Sequence, residues 1–76
     1  MWRNKIPIKV GDLMVGVDKG PQEDEIIIIS KIDYGDKGEE RVWSAVLKPA
    51  KDSNDFRTAW ANKEYYSSYY KRLSNQ

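Results

Sequence analysis

The chain has 76 residues, with 13 Lys and Arg against 12 Asp and Glu, a formal net charge of +1, and neither cysteine nor histidine. That length gives one domain, taken as 1–76, with a thin core, since a chain this short buries only about 60% of what its unfolded form exposes. Disulfides and the usual zinc ligands are excluded, and the balanced charge argues against a dedicated binder of phosphate backbones.

Ile6, Ile8 and Val10 alternate with Pro7 and Lys9, which predicts a short or edge strand, and Gly11-Asp12 turns the chain. Leu13, Val15 and Val17 alternate with Met14 and Gly16. A glycine inside a strand marks a bulge or a close backbone approach. Lys19-Gly20-Pro21-Gln22 reads as a turn. Glu25–Ile32 is the strongest strand: β-branched residues fit a pleated sheet and disfavour helix. Alternation groups Ile26, Ile28 and Ile32 as the inner face, which makes Ile28 a core residue. Ile27 and Ile29, or their neighbours, then form an outer pair, to be covered by the chain's own tail or by another chain, such as a second copy through the Ile26–Ile29 strand.

Asp33–Gly38 is a hairpin loop with two glycines able to take positive φ. Arg41–Leu47 returns as a strand, with Trp43, Ala45 and Leu47 on one face and Val42, Ser44 and Val46 on the other. Lys48–Asp55 is a polar loop. Phe56, Thr58 and Trp60 suit another short strand, ended by Asn62-Lys63-Glu64. The tail then reads in two ways: a helix over 53–73, or a helical turn at Glu64–Ser67 followed by a closing strand Tyr69–Leu73. The aromatic and serine content favours the second.

The order Lys9-Val10-Gly11-Asp12-Leu13, Gly-Pro turn, β-branched strand, aromatic-containing return strand, Trp-containing strand and Tyr-rich tail YYSSYYKRL resembles the SH3-like barrels of small bacteriophage proteins, over residues 5–74. The resemblance implies a mainly β fold, a small antiparallel SH3-like barrel of about five strands with a helical turn near the C-terminus. It assigns no activity. Nothing here matches the Ala-Leu-Tyr-Asp-Tyr-like segment of signalling SH3 domains, so proline-peptide binding is not implied.

Three function classes are open to a chain of this composition. Catalysis lacks its commonest instruments: no histidine or cysteine is present, and serines 30, 44, 53, 67, 68 and 74 have no histidine base. Asp33 with Asp36, and Glu39 with Glu40, read as solvated turn carboxylates. No enzyme, cofactor or metal is expected. Binding of a nucleotide or single-stranded nucleic acid, including sequestration of a signalling nucleotide, is the alternative: Trp43, Trp60 and the tyrosines could stack beside Lys63, Lys71 and Arg72. The favoured class is a protein-interaction module with a virion or host protein as partner. Interfaces are enriched in Tyr, Trp and Arg, and the expected surface is Trp60, Tyr65, Tyr66, Tyr69, Tyr70, Lys71 and Arg72. The start Met1-Trp2-Arg3-Asn4-Lys5 shows no secretory pattern, and the longest apolar run, Ile26–Ile29, is far short of a membrane span. A cytoplasmic protein, in the host if viral, or a virion component is expected.

Overall fold

A computed structural model describes residues 8–51 and 53–73. Five antiparallel strands form one sheet: β1 (Leu13–Gly16), β2 (Ile26–Tyr34), β3 (Glu40–Lys48), β4 (Thr58–Ala61) and β5 (Tyr70–Arg72), with a short helix α1 (Lys63–Tyr69) between the last two. The strand order is β4-β3-β2-β1-β5. The chain is mainly β, as expected, but the barrel does not close: β4 and β5 are the two edges and do not pair with each other. Among the described residues, no helix is long and apolar enough to cross a membrane.

Of the expected first strand, Ile6 and Pro7 lie outside the described residues; Ile8, Lys9 and Val10 belong to no strand, and Lys9 to Asp12 make a corner. The Lys9 N–H donates to Asp12 Oδ2 (3.0 Å), and the Asp12 N–H to the Lys9 carbonyl (3.1 Å). This corner adds to β2 through Gly11 N–H to Ile29 O (2.8 Å) and Ile29 N–H to Asp12 O (2.9 Å). Gly16 is the close approach that its place in a strand suggested. A Cβ there would sit 1.7 Å from the Gln22 carbonyl oxygen, so only glycine lets residues 22 and 23 lie against β1. In the β2–β3 turn, Gly38 takes the left-handed φ of 81°.

The isoleucine faces are the reverse of the expected ones. Ile27 and Ile29 lie in the core with Met14, Val42, Tyr66 and Tyr70, whereas Ile26 and Ile28 are half-buried on the opposite face. Ser30 is the reason. Ile29 pairs with Ser44 and Lys31 with Trp43, so Ser30 is an extra residue in β2, a bulge. Beyond it the alternation resets, and Ile32, opposite Val42, rejoins the face of Ile29. Ile27 and Ile29 are covered by the chain's own tail, in the form of Tyr66 and Tyr70.

The tail follows the turn-plus-strand reading. Asn62 caps α1, its side-chain oxygen accepting from the Tyr65 N–H at 2.9 Å, so the residue expected to break β4 starts the helix. Tyr66 on α1 and Tyr70 at the start of β5 both enter the core, their ring centroids 5.6 Å apart, while Tyr65 and Tyr69, four residues apart on α1, share a neighbouring stripe. The chain then extends into β5, tied to β1 by Val17 N–H to Tyr69 O and Leu73 N–H to Leu13 O, both 2.9 Å.

Candidate functional site

The seven residues expected to form one surface are dispersed. Tyr66 and Tyr70 are core residues, 2% and 4% exposed, so they are not part of an exposed tyrosine cluster. The Tyr66 hydroxyl donates to the Val42 carbonyl (3.1 Å) and meets Ser44 Oγ at 3.0 Å; the Tyr70 hydroxyl donates to Glu25 Oε1. Burial raises the Tyr66 phenol above its ordinary range. Burial, then the hydrogen bond to Glu25 and its charge, raise that of Tyr70 further. Arg72 is half-buried and bridges to Asp12 at 3.3 Å, tying β5 to the corner before β1. Lys71 is exposed on the other face of β5, opposite Val15. By strand order it stands at the far edge of the sheet from Trp60.

Of the expected aromatic residues, Trp60 and Tyr69 are left exposed and Tyr65 is half-buried. Trp60, on edge strand β4, is 46% exposed and pairs with Trp43 on β3, their ring centroids 6.5 Å apart. The Arg41 guanidinium lies 5.8 Å from both rings, and Lys31 Nζ lies 5.1 Å from Trp43. Asp33 organises this group. Its carboxylate accepts from Arg41 Nε (3.0 Å), Arg41 NH2 (3.2 Å) and the Trp43 indole (3.1 Å), and Lys31 Nζ lies 3.4 Å away. The Trp43 hydrogen bond is the largest cause holding its carboxyl below the ordinary range; Arg41 and Lys31 add to it against an opposing effect of burial. Asp33 therefore belongs to β2 and is not the solvated turn residue expected from its glycine-rich neighbourhood. The cross-strand pairs Asp33–Arg41, Lys31–Trp43 and Trp43–Trp60 make one continuous polar and aromatic band across three strands.

On the inner face is a cleft of about 260 Å³. β4 contributes Ala59, Trp60 and Ala61; α1 and β5 contribute Tyr65, Tyr66 and Tyr70; Glu25 and Ser44 are its buried polar residues. Tyr65 is half-buried here, its ring centroid 5.5 Å from that of Tyr66 and 5.0 Å from that of Tyr69, which is 38% exposed. Glu25 was absent from the expected site. Its signal was phase: it stands two and four residues before Ile27 and Ile29, so it shares their face.

Among the described residues, no group of three or more His, Cys, Asp or Glu is placed to hold a metal ion. No protein-family model, curated protein or solved structure matches this chain.

Proposed function

We propose that the chain is a non-catalytic protein-interaction module that docks a partner through Trp60 at the β4 edge, backed by Trp43, with Tyr65 in the adjoining cleft and Tyr69 packed against Tyr65. The observation that carries this reading is Trp60. A large ring on an edge strand is half out of solvent's reach, held in one orientation by Trp43 and Arg41. Pre-ordered Trp, Tyr and Arg side chains lose little entropy on docking and are the types that dominate interface energy. The outer edge of β4 also presents unpaired backbone groups, which an extended partner segment can use.

The alternative of nucleotide or single-strand binding draws on the same Trp43–Trp60 pair. One observation weighs against it: Lys31 and Arg41 are both engaged by Asp33, which offsets part of the charge a phosphate would need. A phage origin, and with it a virion or host protein as partner, rests on the sequence resemblance alone.

The test is Trp60→Ala and Tyr69→Ala. Both positions are exposed, so each variant should fold with stability within about 1 kcal/mol of the parent. Binding of the partner retained by the immobilised parent chain should fall at least tenfold, about 1.4 kcal/mol. Undiminished binding by both variants would overturn the reading.

A further inference from the structure

The Glu25 carboxylate is the least compensated charge in the described core. The residue is 4% exposed and its backbone is fixed on both sides: its N–H donates to Gln22 O (3.0 Å) and its carbonyl accepts from Gly16 N (2.9 Å). Its Oε1 accepts from the Tyr70 hydroxyl. Among the described residues, nothing donates to Oε2, and no cation lies within 4.0 Å of the carboxylate. Oε2 is not sealed off, and Glu25 lines the cleft, so its open side is the cleft itself. Arg57, which also borders the cleft, is paired with Asp55. A carboxylate taken out of water with a single neutral donor is unfavourable, and an incoming cation that donates to its open oxygen would offset much of that penalty.

We propose that this cleft takes an alkylammonium group, delivered as a lysine side chain of the partner protein, with Glu25 as the counter-charge. The source of the lysine rests on the partner-docking reading above. Ile27, Val46, Ala59 and Ala61 offer apolar walls for an aliphatic stem, and Tyr65, Tyr66 and Tyr70 line the same cleft, the Tyr70 hydroxyl on the carboxylate itself. A lysine presents that sequence of chemistry, apolar along its length and charged at its tip, and tyrosine faces attract a cation. Arginine fits less well. Its planar fork is satisfied by two carboxylate oxygens together, and one of these is already held by Tyr70, whereas a compact ammonium needs only Oε2.

The test is amide-shift titration of the isotope-labelled full chain with a short acetylated, amidated peptide carrying one central lysine. Matched peptides carry norleucine, Nε-acetyl-lysine or arginine at that position, and spermidine serves as a free-amine probe. Saturable shifts at Ala59, Ala61, Tyr65 and Tyr70 are expected with lysine, with binding at least about tenfold weaker for norleucine and acetyl-lysine. Glu25→Gln keeps an acceptor for Tyr70 and should weaken lysine binding by a similar factor. The norleucine comparison needs no variant, so it stands even if Glu25→Gln folds poorly. No saturable response to lysine, equal response to norleucine, or unchanged binding by folded Glu25→Gln would each overturn the proposal. Response to spermidine with none to the lysine peptide would overturn the assigned source. Loss of partner binding in Trp60→Ala alongside a silent lysine titration would leave the docking surface standing and remove only the cleft's role.

Discussion

Ile29→Ala and Ile28→Ala, adjacent and chemically identical, separate the two faces of β2. Ile29 is 0% exposed and packs among Met14, Val42 and the tail tyrosines. Truncation removes about three carbon groups at ~0.8 kcal/mol each, and the unfilled cavity adds to that, for a loss of about 3–4 kcal/mol. Ile28 is half-buried on the outer face opposite Ala45, with Leu13 on its other side. There the loss is about half the transfer term with little cavity, roughly 1–1.5 kcal/mol. A 76-residue domain has in total about 4–11 kcal/mol to lose. Ile29→Ala should therefore lower Tm by roughly 12–32 °C and Ile28→Ala by about a quarter to a half as much. Urea unfolding followed by circular dichroism, with m-values compared, gives both numbers. A larger loss at Ile28 than at Ile29 would refute the face assignment and with it the bulge at Ser30.

Other outcomes follow from the same packing. Tyr66→Phe leaves Ser44 Oγ and the Val42 carbonyl without the hydroxyl that joins them, and urea unfolding should show a loss of about 1–3 kcal/mol; parent-like stability would mean the hydroxyl is not engaged. Gly16→Ala places a methyl against the Gln22 backbone, so β1 or the 20–25 turn must move; a thermal melt should show more than about 2 kcal/mol of destabilisation, against the few tenths usual for an open site. At high pH the sign is set by Tyr66 and Tyr70, whose folded-state phenols ionise above the ordinary value of 10.0. Above about pH 10 the unfolded chain releases these protons first, so the contribution of these two groups is constant below that pH and stability falls as pH rises beyond it. Tyrosinate absorbance from these two rings should appear together with loss of circular dichroism; their full ionisation in a folded protein would contradict their burial.

The β2–β3 hairpin, the polar loop after it, the Gly16 approach and the helical turn before the last strand could all be read from local pattern and turn chemistry. The direction in which the isoleucines face could not. Four in succession carry no polar partner to set the phase, and strict alternation assigns Ile32 to the face of Ile28. Only the register against β3 shows that Ser30 is extra. The tyrosines were legible as a set that divides between inside and outside. Which pair went inside depended on where α1 starts, and hence on Asn62 acting as a cap. Barrel closure depends on β4 meeting β5, a long-range pairing with no local signature. Glu25 and Asp33 were hidden for one reason: each stands among residues that resemble a solvated acidic loop, and each is placed in the sheet by strand phase.

The most direct test of the docking surface is site-specific photo-crosslinking in the cells that make the protein. A photoreactive amino acid replaces Trp60, and separately Tyr69, with Asp36 at the exposed tip of the β2–β3 turn as the comparison site. The same protein-sized adduct should form from positions 60 and 69 and not from 36. Adducts from 36 with none from 60 or 69 would contradict the account.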